Sequence, residues 1–157
     1  MSEESTHREI MFSVDIEARP EEVWRKLTDP NEIPKWSYME RCELSELKVG
    51  GTYRFIDPPG PDDTGQILVL ELNQRLVYEW TSSEPEPTYM EYLLEDRCGY
   101  TRLTVRNSPF KKGPQWDKFY EQNFKGWLDF TMQLKALLEG NEAAPVTEST
   151  LGDPNRV

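Results

Sequence analysis

The side chains best suited to hold a molecule in this chain are aromatic. Trp36, Tyr53, Phe55, Tyr78, Trp80, Tyr92, Phe124 and Trp127 are spaced so that strand alternation and helical periodicity turn them toward one interior. Such a wall suits an apolar or aromatic small molecule, with tyrosine O–H and indole N–H groups to orient it. Ile67 and Leu103 extend it, and Asn123 adds an amide. A buried amide left unpaired costs roughly 1–3 kcal/mol, so Asn123 must bond a ligand, a sheet residue such as Tyr78, or water. The competing reading of the same residues is a filled core.

Other chemistry is poorly supplied. The single histidine, His7, lies in a polar leader, whereas a Ser/His/Asp triad, a Cys/His dyad or a His-rich metal site needs one near the core. Glu71, Glu79, Glu91 and Glu95 fall on strands and read as solvated surface charge. Cys42 and Cys98 are far apart, outside any CxxC motif, and read as free thiols. The residues thus offer no catalytic pair and no metal-ligand set, and call for no cofactor.

Bulk composition narrows the partners. A net charge of −11, with 30% of residues charged, argues against nucleic acid and anionic membrane, which need a basic footprint. No apolar run approaches the roughly 18 residues of a membrane span. Met1 to Glu9 shows no apolar h-region. A cytoplasmic protein is expected. Its 157 residues suit one domain, placed over 9–140, with a flexible leader at 1–8 and a disordered tail at 141–157.

The elements that must position the aromatics follow from periodicity. Ile10, Phe12, Val14 and Ile16 alternate with polar neighbours as in a half-buried strand. Pro20 opens a short helix with Val23, Trp24 and Leu27 on one side. Asp29-Pro30 breaks it, and a second short helical piece carries Ile33 and Trp36. Strands are expected at 42–47, 52–56, 65–72, 76–81, 88–96 and 100–107. Gly50-Gly51 marks a bend, Asn73-Gln74 a tight turn, and 57–63 and 82–87 are loops. A short turn at Arg97-Cys98-Gly99 sets Leu94 opposite Thr101, Tyr92 opposite Leu103 and Met90 opposite Val105, one apolar face against one charged face. Outside that inner face, Leu68, Leu70 and Val77 form an apolar strip that suits a homodimer or partner surface, or equally a face covered by a loop or terminal segment or buried by strand twist.

The last element is a helix over 114–139, about 39 Å long. Gly113 and Pro114 open it and Gly140 closes it. Trp116, Phe119, Tyr120, Asn123, Phe124, Trp127, Phe130, Thr131, Leu134, Leu137 and Leu138 share one arc, with Ala136 opposite. So broad an aromatic arc needs a concave partner. The fold class expected is α+β: a strongly curved antiparallel sheet wrapped around the C-terminal helix. Gly126 borders the arc and suggests a close strand approach or a slight bend.

The order of these elements, with Arg19-Pro20-Glu21-Glu22-Val23-Trp24, Thr28-Asp29-Pro30, Trp36, Val49-Gly50-Gly51-Thr52-Tyr53-Arg54-Phe55, Gly65, Leu76-Val77-Tyr78-Glu79-Trp80, Thr101-Arg102-Leu103-Thr104 and Gly126-Trp127 before Leu134 and Leu138, resembles the AHSA1-like branch of the START-like (SRPBCC, Bet v 1-like) helix-grip superfamily. The resemblance implies a cavity between sheet and helix, and its namesake activates the Hsp90 ATPase. The chain departs from the family where Trp36-Ser37 replaces a common pair of tryptophans. Asn107, and Asn123 to Lys125, stand where histidines are often found. The first expectation is non-catalytic binding of a small hydrophobic or aromatic ligand in that cavity. The second is an interaction module or chaperone co-factor for an Hsp90-type ATPase. The third is an enzyme of the polyketide-cyclase type.

Overall fold

The structure, a computed structural model, describes residues 7–37, 39–81 and 86–140. The expected tail at 141–157, most of the leader and most of the 82–87 loop lie outside the described residues. The element order is β1 (His7–Ile16), α1 (Pro20–Thr28), α2 (Pro34–Ser37), β2 (Arg41–Leu44), β3 (Thr52–Ile56), β4 (Asp63–Glu71), β5 (Arg75–Thr81), β6 (Thr88–Asp96), β7 (Thr101–Lys111) and α3 (Pro114–Glu139). All seven strands form one antiparallel sheet in the order β1-β7-β6-β5-β4-β3-β2. The sheet curves around α3, so the expected α+β helix-grip architecture is the one observed.

Alternation decides which side chains enter the core. β6 and β7 bury every second residue along most of their length, the period-two pattern of a half-buried sheet. The inward row across β4, β5, β6 and β7 includes Ile67, Tyr78, Met90 and Asn107. The outward row holds ion pairs instead, such as Arg106 with Glu9 at 2.7 Å and Arg75 with Glu91 at 2.6 Å.

Local chemistry sets the helix ends. Pro20 starts α1 with Glu21 and Glu22 in its first turn, where the helix dipole favours them. Gly113, at φ 123°, precedes α3, and Gly140, at φ 75°, closes it in the left-handed conformation open to glycine. Within α3, Ala136 and Leu137 exchange expected roles: Ala136 is buried and Leu137 exposed.

Three sequence expectations need correction. The β6–β7 pairing is displaced by two residues: Leu94 faces Leu103, Tyr92 faces Val105 and Met90 faces Asn107. The two-residue turn is centred on Cys98-Gly99, one residue later than the sequence register assumed: Arg97 N donates to Tyr100 O at 2.9 Å, and Cys98 and Gly99 both take the positive φ of a type I′ hairpin. A two-residue displacement preserves the faces. Strand β7 runs on to Lys111, past Pro109, because Ser108 and Pro109 lie at an irregularity where β1 passes directly from Arg8↔Phe110 to Ile10↔Asn107. A proline is tolerated there since no ladder N–H is required. Finally, Leu70 is partly buried and packs against the core rather than joining the outer strip. A bulge between Ile67 and Val69 inserts Leu68, so Val69 pairs with Val77 and Leu70 with the fully buried Leu76. Leu68 stays outside, 40% exposed.

Candidate ligand-binding cleft

The helix pair α1–α2, the middle of α3 and the inner faces of β3, β5 and β6 enclose a cleft lined by Leu27, Ile33, Trp36, Ser37, Met39, Tyr53, Phe55, Tyr78, Trp80, Tyr92, Trp127 and Phe130. Alternation on β3 delivers Tyr53 and Phe55, and on β5 Tyr78 and Trp80. One helical turn on α3 delivers Trp127 and Phe130. Ring centroids lie 4.8 Å apart for Phe55 and Trp80 and 6.3 Å for Tyr78 and Tyr92. Trp127 meets Trp80 edge-on at 5.6 Å, a favoured arrangement for two π systems. Gly65 makes room for this wall: a Cβ there would lie 2.7 Å from a Tyr78 ring carbon.

Most polar atoms of the wall are already engaged. The Tyr53 hydroxyl donates to Thr28 O at 2.7 Å, and Trp36 Nε1 donates to Lys26 O at 2.9 Å. Trp127 Nε1 donates to Asn107 Oδ1 at 3.2 Å, while Asn107 Nδ2 donates to Thr88 Oγ1 at 2.9 Å and to Tyr89 O at 3.1 Å. Asn107 is therefore the amide that ties α3 to the sheet. Tyr78 and Tyr92 share a side-chain hydrogen bond. Burial raises Tyr53, Tyr78 and Tyr92 above the usual tyrosine range, and pushes the Cys42 thiol up to about 12. At neutral pH these groups are uncharged: they exchange hydrogen bonds but offer no base and no thiolate.

The cleft is narrow. Counted out to bulk solvent it spans about 340 Å³, but its free interior is about 10 Å³, room for about one water. Its cover is the short helix α2 with Met39. Glu32, just before α2, fastens that cover. Its carboxylate lies 2.9 Å from Arg25, 3.1 Å from Lys26 and 2.7 Å from Lys35. The ammonium groups of Lys35 and Lys26 hold this carboxyl down at about 2 against the opposing effect of its desolvation.

Seven of the residues singled out from sequence meet here: Trp36, Tyr53, Phe55, Tyr78, Trp80, Tyr92 and Trp127. Ile67 and Leu103 are fully buried in the core beside it. Phe124 stacks on Phe12 at 6.2 Å, nearer the start of α3. Asn123 donates back to Phe119 O at 2.7 Å, one turn earlier in its own helix, as polar side chains in helices often do. Leu27, Ile33, Ser37, Met39 and Phe130 were not singled out. Phe130, one turn from Trp127 on the same arc, carried a signal.

A larger hollow of about 350 Å³ lies between the start of α1 and the β6–β7 turn, lined by Arg19, Pro20, Glu21, Asp96, Cys98, Gly99 and Tyr100. It is polar and of mixed sign. Among the described residues, no group of His, Cys, Asp and Glu is placed to hold a metal ion, and no helix is long and apolar enough to cross a membrane.

A sequence model described as Activator of Hsp90 ATPase homolog 1-like protein matches residues 17–139. No curated protein matches the chain. Among solved structures, the protein MLL2253 from Mesorhizobium loti is similar at TM-score 0.74 and 23% identity, covering 86% of this chain and 99% of that one. The Aha1 dimer from Colwellia psychrerythraea is similar at TM-score 0.71 and 23% identity, over 84% and 96%. CalU16 from Micromonospora echinospora is similar at TM-score 0.70 and 21% identity, over 93% and 81%. At these identities the likeness is one of fold.

Proposed function

The chain belongs to the family of Activator of Hsp90 ATPase homolog 1-like proteins, and from that premise we propose that it is a non-catalytic binding protein whose cleft admits a small hydrophobic or aromatic molecule. One observation carries the reading: rings from three strands and from α3 converge, with tyrosine hydroxyls among them, under a cover that among the described residues is the four-residue α2 with Met39. A core that needed only filling would be served by aliphatic side chains without buried hydroxyls. Sites for drug-sized ligands occupy about 300–1,000 Å³, so entry requires α2 and Met39 to move aside. The ligand stabilises an opened state that is a minor one without it.

A thermal-shift screen of lipids and aromatic metabolites, paired with native mass spectrometry of the protein purified without detergent, tests the reading. A ligand at a hundred times its Kd stabilises by about 2.7 kcal/mol, which raises Tm by several degrees. Absence of any shift and of any retained small molecule overturns it.

A second reading is an interaction module acting on an Hsp90-type ATPase. The family description favours it, and a pull-down with an ATPase assay separates it from the first. In the same reading we take the chain as cytoplasmic, and as one domain over 9–140. Cell fractionation and limited proteolysis check these points. Homodimerisation rests on the outer face, where Leu68 and Val77 remain after Leu70 is removed from the strip, and on the neighbouring fold described as an Aha1 dimer. Light scattering on Leu68→Glu tests it. A mass equal to one chain before and after the substitution removes the dimer.

A further inference from the structure

Resting on that reading of the cleft, we propose that its ligand is uncharged and carries a hydroxyl: the cleft takes a neutral hydroxylated aromatic compound in preference to the carboxylate of the same skeleton. Among the described residues, no lysine, arginine or histidine lines the cleft. The cations nearest its cover, Arg25, Lys26 and Lys35, are gathered on Glu32. An anion drawn inside would lose its hydration and find no counter-charge, an unfavourable exchange in an apolar setting.

The polar atoms define the hydroxyl. Tyr53, Trp36 and Trp127 direct their donors to Thr28 O, Lys26 O and Asn107 Oδ1. What remains to be offered is the hydroxyl of Ser37, which accepts from Met39 N at 3.5 Å, and the Tyr78–Tyr92 pair, whose rings lie 6.3 Å apart on the cleft wall. Two hydroxyls bonded to each other use one donor between them. The tyrosine pair keeps one proton, the Ser37 hydroxyl keeps its own, and several lone pairs are left over. A guest hydroxyl, which both gives and accepts a proton, matches that set, whereas a carboxylate only accepts. The tyrosines themselves carry no charge at neutral pH, since burial holds them protonated.

Isothermal titration of the full chain near neutral pH with 2-naphthol, 2-naphthoate and naphthalene tests this. The expected order is 2-naphthol tightest, with naphthoate at least tenfold weaker. Tyr92→Phe, which keeps the ring, should weaken 2-naphthol about tenfold and leave naphthalene unchanged. Naphthoate binding as tightly as naphthol overturns the proposal and leaves the cleft reading standing. If Lys35→Gln then weakens naphthoate alone, an anion is being held at the mouth. Equal binding of naphthol and naphthalene overturns the hydroxyl assignment. Failure of all three to bind overturns the cleft reading and this inference with it.

Discussion

Two aromatic clusters lie along α3, and their difference shows what separates a core from a candidate site. Near the start of the helix, Phe110 meets Trp116 at 6.4 Å and Tyr120 at 5.7 Å, and Tyr120 meets Phe124 at 6.0 Å, all edge-on. The centre of this cluster, Phe110 with Trp116, is sealed, while Tyr120 and Phe124 are partly buried at its edge. Phe110 is 0% exposed, and the Tyr120 hydroxyl points outward to Glu9 O at 3.3 Å. The Arg8 guanidinium caps the Tyr120 ring at 4.4 Å, a cation–π contact. Half a helix away, the cleft around Trp80, Tyr92 and Trp127 turns its tyrosine hydroxyls inward and lies under α2 and Met39. Ring content is similar in both. Where the polar atoms point, and how long the covering element is, distinguishes them.

The largest expected effect tests that contrast directly. Phe110→Ala should destabilise by about 3–5 kcal/mol, the range for emptying a sealed aromatic site, whereas Phe130→Ala, half-buried at the mouth of the cleft, should lose less than half as much. Urea unfolding measures both. Equal losses would mean that the two clusters are equally closed. Next comes the tie between α3 and the sheet. Asn107→Ala leaves the Trp127 N–H and Thr88 hydroxyl without their partner and should lower stability by about 1–3 kcal/mol, with the Trp127 emission altered.

The cover has a pH signature. The folded-state pKa of Glu32 is depressed to about 2, so its contribution is present at neutral pH and above the unfolded carboxylate range. It is lost as pH falls from about 4.5 toward 2. Two of its partners are more than half exposed, and solvent screening reduces the effect. Glu32→Gln should therefore lose about 1–2 kcal/mol at pH 7, a gap to wild type that closes on acidification. A gap independent of pH would show that Glu32 does not fasten the cover by charge. The smallest effect falls between the clusters. Contrary to a close strand approach, a Cβ at Gly126 would meet nothing within 4 Å. Gly126→Ala should gain about 0.5–1 kcal/mol from helix propensity alone. A loss would reveal a closer neighbour or a need for flexibility there.

Much of the cleft was legible. Tyr53, Phe55, Tyr78 and Trp80 announce themselves by alternation, and Trp127 by its place on the helical arc. Gly51 shows the same legibility in the backbone: a Cβ there would lie 1.9 Å from Glu46 O, so the Gly50-Gly51 bend is a true close approach. The hidden part is instructive. Asn123 and Asn107 are alike in sequence, yet Asn123 turns back on its own helix while Asn107 bridges β7, β6 and α3. The bulge that moves Leu70 inward leaves no glycine or proline to betray it. Leu27, Ile33 and Met39 enter the cleft because α1 and α2 fold across its mouth, which periodicity within each segment does not encode.

The chain's own residues determined the order of elements, the inner and outer faces of the sheet and the ends of α3. Each depends on interactions within a few residues: pleat alternation, helical repeat, and the conformations open to proline and glycine. The tertiary structure alone decided which rings form a sealed core and which a cleft, which asparagine becomes the bridge, and how little free space remains. Those outcomes depend on distances between segments far apart in the chain, where a shift of an ångström in close-packed matter separates a filled interior from an opening.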